Sequence, residues 1–532
     1  MRASDLVVKC LAAEGVDHIF GIPGEENIDL MESLNDSGIE FILTRHEQSA
    51  AFMAGIQARM AFRPRVCLST LGPGATNLVT GVADAYLSNS PLIAITGQAG
   101  ADRCSPPQKQ VIDVQAMMRP ITKESISVRA PNKVPIAVRR AFDVAMHERP
   151  GPVHLELPED VMKMDAGGEH IPGCEPEHVR PDKRSMSQIA EMIMESSRPL
   201  VIAGQGVLRS NAVRQLHEFC TRWNIPVVHT WFGAGSVPYD DRNSLNTTGV
   251  RTSDNVREAY ERADMIIMVG FDVIEFAPQY WNIGDRKEML YIGECPSGQS
   301  EHMTPDVQVV GGLRYVLQVL TEMGRMKEPW ADDIKARMHA INDLDLTDVN
   351  GIKPQNVLKV LRSKMGKQDI VVSDVGAHLI WLAKHYPVYK ENTLILDNGL
   401  IPMGVAVPGA IGAKMQYPER RVAAVCGDGG FMMTMAELAT AKERGVGFVT
   451  LIFNDGGYGL IKMKMEAAYG RSTGCEFTNP DFVALARSFG AEGYRVSGKD
   501  ELESVLGDCL GRDALAVIDV PIDYGENRAL TR

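Results

Sequence analysis

The stretch GDGGFMMTMAELATAKERGVGFVTLIFND, residues 427–455, carries two carboxylates, Asp428 and Asp455, set 27 positions apart. Each follows an apolar, β-branched run, RVAAVC before the first and GFVTLIF before the second. Each is therefore expected just beyond the carboxyl end of a strand, with a helix between them, and that is where parallel α/β sheets bind ligands. Glycines let the backbone turn tightly and approach a ligand, while a helix N-terminus offers free N–H groups to an anion. Two carboxylates beside an anion would repel it unless a divalent cation bridges them. Mg2+ does so with a few carboxylate or carbonyl oxygens, ligand phosphates and water. The chemistry predicted is a Mg2+–diphosphate site. The plain alternative is a strand–turn–helix junction with solvated acids, since a lone GDG is a short motif. After the turn, Met435, Leu438 and Ala439 are spaced as one face of a predicted helix.

A third acid, Glu47, lies in TRHEQSAAFMAGIQARMA (44–61), after the predicted strand EFILTR and where a helix starts. Taken alone, it is a favourable charge at a helix N-terminus, worth about 0.3–1 kcal/mol. Downstream, the Gly-Pro-Gly turn at 72–74 enters another helix and brings backbone close to whatever lies there. AGQGV (203–207) is a partial dinucleotide signal with Arg209 where a third glycine would stand, and it reads as a packing turn.

Together, GDG…ND, RHE, LGPGATN and DVGAH (374–378) resemble the thiamine-diphosphate-dependent 2-keto-acid enzymes, and within them the acetolactate synthase family. The resemblance runs nearly the whole length. It implies an α/β fold of three doubly wound parallel-sheet domains: pyrimidine-binding (1–165), central (186–340) and diphosphate-binding (354–525). It also implies Mg2+ held by Asp428, Asp455 and the main-chain carbonyl of Gly457. Gly376, Ala377, His378, Gly427, Gly429 and Gly430 match positions around the diphosphate. Pro73, Asn77, Ile401, Tyr458, Gly459 and Leu460 match further cofactor contacts. Met403 matches the apolar wedge that bends thiamine diphosphate, although plain core packing is the ordinary reason for such a methionine. Glu47 matches the glutamate that bonds the aminopyrimidine ring and so helps activate the cofactor, usually from a partner subunit. Active sites at the interface of a homodimer or homotetramer follow from that.

The reaction the resemblance implies is condensation of two pyruvates to 2-acetolactate with loss of carbon dioxide. The alternatives are another thiamine-diphosphate decarboxylase or carboligase with a different 2-keto acid, or a nucleotide-binding or regulatory protein. No adjacent His pair occurs, which favours ligation over simple decarboxylation. GFDVIEFAPQYWNIGD (270–285) stands where flavin-binding relatives carry an RFDDR-like segment, so the chain looks like the catabolic type and FAD is not expected to be required. Gln98 and Gln110 match polar positions near the substrate. Lys464, nine residues after Asp455, replaces the usual Gln or Trp; it either pairs with a substrate carboxylate or is solvated. GLIP (399–402) is a more apolar loop than catabolic relatives have.

These residues need strands that end together and helices that start there. Short apolar runs such as RVCLST, PLIAITG, ADMIIMVGFD and DIVVSDVG alternate with helical patterns throughout the 532 residues. The Pro-, Gly- and charge-rich stretch 158–185 is expected to be a surface linker. A net charge of −13, from 55 basic and 68 acidic residues, argues against nucleic acid or an anionic membrane as partner. Nine scattered cysteines without a C-x-x-C pair read as reduced, mostly buried thiols. With no signal-peptide pattern and no long apolar run, a soluble cytoplasmic enzyme is expected.

Overall fold

The computed structural model describes residues 1–530, apart from 105–107, 174–178, 251–253, 285 and 344–345. Three six-stranded sheets, parallel at every registered pair, carry the fold. The first is built from β1 (His18–Gly21), β2 (Glu40–Leu43), β3 (Arg65–Ser69), β4 (Leu92–Gln98), β5 (Glu124–Ser127) and β6 (Val153–Pro158). The second contains β7 (Pro199–Ala203), β8 (Val227–His229), β9 (Ser244–Thr247), β10 (Met265–Val269), β11 (Glu288–Gly293) and β12 (Val307–Val310). The third contains β13 (Ile370–Ser373), β14 (Leu394–Ile395), β15 (Val422–Gly427), β16 (Phe448–Asn454), β17 (Glu492–Arg495) and β18 (Leu515–Pro521).

The first and third sheets share one topology, β2-β1-β3-β4-β6-β5 and β14-β13-β15-β16-β18-β17. The middle sheet differs: β12-β11-β10-β7-β8-β9 is the 3-2-1-4-5-6 order of dinucleotide-binding folds. In each sheet the strand order reverses beside the first strand, between β1 and β3, β7 and β10, or β13 and β15, and a crevice opens there at the carboxyl ends; the first and third sheets turn back again at β6–β5 and β18–β17. Strands flanked by neighbours are apolar along their length, as in the fully buried Met265–Val269, because helices cover both faces of a parallel sheet.

The chain forms two compact units. One comprises Met1–Pro176, Gly399–Pro418 and Met432–Gly447; the other comprises Glu177–Asn398, Glu419–Phe431 and Phe448–Arg532. Within the first, the Ala406–Gln416 helix packs on the Glu47–Ala61 helix, and Gln57 Nε2 donates to the Gly412 carbonyl at 3.1 Å. Within the second, the polar stretch after residue 328 holds the Asp332–Asp343 helix, whose Ile334 and Met338 join the core around Trp281.

Two local expectations are corrected. The single helix expected through Met435, Leu438 and Ala439 is two helices, Asp428–Thr434 and Glu437–Arg444. The face buried by the second is Glu437, Leu438, Thr440 and Ala441, because the Thr440 hydroxyl satisfies the Glu437 carboxylate and lets both polar groups go inside. The stretch 158–185 is not purely a linker, since it opens with the Glu159–Lys163 helix and ends in the start of Lys183–Glu195; its residues 174–178 lie outside the described ones. The eight described cysteines are free thiols. Among the described residues no helix is long and apolar enough to cross a membrane.

Candidate active site

In the third sheet, β13, β15 and β16 lie side by side, so the segments that leave their carboxyl ends share one crevice. Asp428, 1% exposed, opens the Asp428–Thr434 helix. Its Oδ1 accepts the Gly429 N–H at 2.8 Å, and its Oδ2 accepts the Gly456 N–H at 2.8 Å and Asn479 Nδ2 at 2.7 Å. Asn479 Nδ2 also donates to Asn454 Oδ1 at 2.9 Å, and Asn454 Nδ2 donates to Asp519 Oδ1 at 2.8 Å. This network pins the turn after β16 to the turn after β15.

Asp455 occupies that second turn. The residue as a whole is exposed, yet its carboxylate folds back over Gly459, where a Cβ would lie 2.1 Å from Oδ2 and would push the carboxylate out of this position. Desolvation of the carboxylate, then the Asp428 charge, pushes its carboxyl up to about 7. The Tyr458 N–H donates to the Cys475 carbonyl at 2.8 Å and Gly457 bridges to Glu476, which fixes the turn that leads into the Gly459–Tyr469 helix. Tyr458 sets its ring edge-on to Phe477 at 5.1 Å, and Leu460 packs against the third sheet's core.

On the neighbouring strand end, Gly376 caps the Ala377–His385 helix. His378 is 2% exposed, burial pushes its imidazole down to about 4, and Nε2 has no hydrogen-bond partner. Asn479 Oδ1 is likewise buried and unpartnered. Buried polar atoms are normally satisfied, so orphans at the mouth of this crevice point to an absent polar occupant. Two carboxylates of raised mutual repulsion, a main-chain carbonyl in the same turn and helix N-termini beside them fit Mg2+ with a diphosphate. Among the described residues no three His, Cys, Asp or Glu side chains converge on a metal position; a set completed by backbone and phosphate oxygens does not need them.

A second cluster lies in the other compact unit. Glu47 is the first residue of the Glu47–Ala61 helix, whose N-cap is His46 with Nδ1 accepting the Gln48 N–H at 3.1 Å. The Glu47 side chain is buried, and its Oε2 accepts Asn77 Nδ2 at 2.9 Å. Asn77 projects from the Pro73–Leu87 helix, which follows Gly72. Gly72 has φ +47°, and a Cβ there would lie 2.4 Å from the Gln110 carbonyl oxygen, so turn and loop touch backbone to backbone. Gln110 is itself left-handed at φ +67° with an exposed side chain.

The remaining predicted residues are placed less uniformly. Gln98 is buried at the end of β4 and fully engaged: Nε2 donates to Glu156 Oε2 at 3.1 Å and to the Ile112 carbonyl at 3.4 Å, and Oε1 accepts the Ala99 N–H at 2.9 Å. Pro73 is exposed at its helix start. Ile401 is exposed and holds φ +59°, a conformation that β-branched residues adopt only under constraint, and Met403 is half-buried just after it. Lys464 stands exposed on the Gly459–Tyr469 helix, which buries none of its residues. Asn479 and the Asn77–Glu47 pairing had no signal in residue spacing; Asn479 sits in an Asn–Pro step, which reads only as a turn.

AGQGV is a packing turn, with the Gly206 N–H donating to the Gly270 carbonyl at 2.9 Å. Its Gln205 N–H is taken by the buried Glu275 carboxylate at 3.0 and 3.2 Å, which also accepts the Asp272 N–H at 3.0 Å and the Thr230 hydroxyl.

Comparison with known proteins agrees with this layout. The N-terminal TPP binding domain of thiamine pyrophosphate enzymes matches residues 1–117, their central domain matches 186–320, and their C-terminal TPP binding domain matches 374–520. An acetolactate synthase of Bacillus subtilis is 32% identical over 99% of this chain and 94% of its own length. A probable acetolactate synthase large subunit of Methanocaldococcus jannaschii is 33% identical over 99% and 93%, and a catabolic acetolactate synthase of Raoultella terrigena is 32% identical over 99% and 96%. With three matching domains in order and end-to-end similarity, the chain belongs to the thiamine pyrophosphate enzymes.

Proposed function

We propose that the protein condenses two pyruvate anions and one proton into 2-acetolactate and carbon dioxide, using thiamine diphosphate and Mg2+. The observation that carries the choice of reaction is similarity over 99% of the chain to proteins named acetolactate synthase, one of them catabolic. The domains run as 1–165 for the pyrimidine, 186–340 as the central domain and 354–525 for the diphosphate.

Asp428, Asp455 and the Gly457 carbonyl hold the metal; the backbone of Gly376–His378 and Gly427–Gly430 receives the diphosphate, where helix N-termini favour negative charge. Bound there, thiamine diphosphate supplies the electron sink that lets a 2-keto acid lose carbon dioxide. Glu47 is the proton-handling group, a buried carboxyl oriented through Oε2 by Asn77. Met403 and Ile401 supply apolar contacts that keep water from the reacting centre. Lys464 and Gln110, both exposed, are each read as a substrate-facing group, while Gln98 ties the end of β4 to the Ile112 carbonyl.

Glu47 serves the cofactor held by a second copy of the chain, so the active unit is at least a homodimer. Relatives named as large subunits, and a Gly459–Tyr469 helix that exposes Ile461 and Tyr469, support assembly. The enzyme works in the cytoplasm without FAD. The support for FAD independence is Glu275: the amide at the middle sheet's crevice is already bonded to its buried carboxyl group and is not open to a dinucleotide phosphate.

The test is to mix purified protein, thiamine diphosphate and Mg2+ with pyruvate, without FAD. Acetolactate, read as acetoin after acidification, is the expected product. Acetaldehyde alone would make the protein a decarboxylase, and no turnover of pyruvate would refute the substrate.

A further inference from the structure

The Glu437–Arg444 helix makes its polar contacts with the turn that presents Glu47, and both belong to the same compact unit. Glu437 is 1% exposed; burial pushes its carboxyl up, against the hydrogen bonds that favour its charge. Its Oε1 accepts the Arg45 N–H at 3.0 Å, and its Oε2 accepts the Thr440 hydroxyl at 2.7 Å. The His46 amide and the Ser49 hydroxyl also lie around this carboxylate and favour its ionised form. Further along, Glu443 pairs with the Arg45 guanidinium at 2.6 Å, Arg444 pairs with Glu40, and the Thr440 hydroxyl lies 3.5 Å from the Leu43 carbonyl.

The first amides of a helix have no intrahelical partner, and left unpaired inside a protein each would cost about 1–3 kcal/mol. Here the amide two residues before Glu47, just ahead of the N-cap, is taken by a buried carboxyl oxygen, and the His46 side chain caps the Gln48 amide. The start of the helix is thereby locked from both sides. A hydrogen bond of ordinary length to a buried, packed acceptor is directional, so it restrains where the Glu47 backbone sits. Asn77 then fixes the side chain.

We propose that Glu437 is a positioning residue for Glu47: its carboxyl group holds the Arg45 and His46 amides so that the Glu47 carboxyl points in one direction. The inference rests on the reading of Glu47 as the proton-handling group. The aligned group is lost when Glu437 is shortened, although Glu437 touches neither substrate nor cofactor.

The first measurement uses amide hydrogen exchange on the full chain without cofactor, so it does not depend on the reaction assigned above. Glu437→Ala should speed exchange of the 44–50 amides about tenfold or more, the range of losing one buried hydrogen bond, while β3 and β4 keep wild-type protection. Glu437→Gln, which keeps one acceptor oxygen and the packing, should fall between. On the loaded enzyme, Glu437→Ala should lower kcat about 10- to 100-fold, the scale of a small misplacement, with KM for pyruvate within about twofold. Glu437→Gln should recover part of kcat. Unchanged exchange at 44–50 in both variants overturns the proposal. So does loss of protection across the whole first sheet in Glu437→Gln, which would make the residue a general core element. Should pyruvate prove the wrong substrate, the exchange result still decides.

Discussion

Glu275 offers a sharp quantitative test, because its carboxyl is enclosed among hydrogen-bond donors and the Arg209 charge offsets only a little of the cost of burying it. It is 0% exposed, and burial first, with the Asp272 charge adding, moves its carboxyl from 4.5 to about 7. At about 1.4 kcal/mol per pH unit, keeping it ionised at pH 8 costs about 3 kcal/mol. The sign follows from proton counting. Between about pH 4.5 and 7 the native state keeps a proton that the unfolded state has lost, so stability falls as pH rises through that window and is flat outside it. Glu275→Gln removes the titration. It keeps the Oε1 bonds to the Asp272 and Gln205 amides but turns Oε2 into a donor facing the Gln205 N–H, a loss of about 1 kcal/mol. The variant should therefore match the parent within about 0.5 kcal/mol at pH 5 and be more stable by about 2 kcal/mol at pH 8. Exchange protection of the β7 and β10 amides, corrected for intrinsic rates, reads this locally. Curves for parent and variant that run parallel from pH 5 to 8 would refute the reasoning.

Glu47→Gln should lower turnover by about 10²-fold or more, the usual contribution of a positioned acid–base group, with an unchanged thermal midpoint; near-normal kcat would remove Glu47 from the chemistry. Asn479→Leu should weaken Mg2+-dependent thiamine-diphosphate binding about 10- to 100-fold, as loss of a group that orients a metal ligand does; calorimetry at limiting Mg2+ checks it, and unchanged affinity contradicts the role given to the Asp428 network. Gly72→Ala places a Cβ 2.4 Å from the Gln110 carbonyl at φ +47°. It should destabilise the first unit by at least about 1–3 kcal/mol, seen as a lower thermal midpoint and faster exchange at 108–113; a neutral effect would mean the turn and loop do not touch.

Most of the runs that announced strands lie inside a sheet, although EFILTR became the edge strand β2. RVCLST, PLIAITG, ADMIIMVGFD and FVTLIFND became β3, β4, β10 and β16, each hydrogen-bonded on both sides and apolar because both faces are covered. The strands with no such signal, β5 (ESIS), β9 (SLNT), β12 (VQVV) and β17 (EGYR), all lie at sheet edges. β5 is half-exposed along its length and β17 nearly so, hence polar residues there cost little and erase the periodic pattern. The switch from one topology to another in the middle sheet was equally silent, because strand order depends on which helices cross which face rather than on any strand's composition.

The site divides along the same line. Asp428, Asp455 and Glu47 were legible because each acid stands at a junction of two periodic patterns, where a charged residue has to be explained. What holds them was not. Asn77 lies 30 residues from Glu47 in sequence, Asn479 lies 51 from Asp428, and Glu437 lies 392 from Arg45, and nothing at either end of such pairs marks the other. Helical spacing in fact assigned the wrong face to the Glu437 segment, since an apolar-face rule cannot foresee a buried carboxylate that carries its own threonine and a backbone amide. The candidate site residues in this chain are read from local pattern; the groups that hold them are long-range hydrogen-bond partners, and only the folded geometry brings them into view.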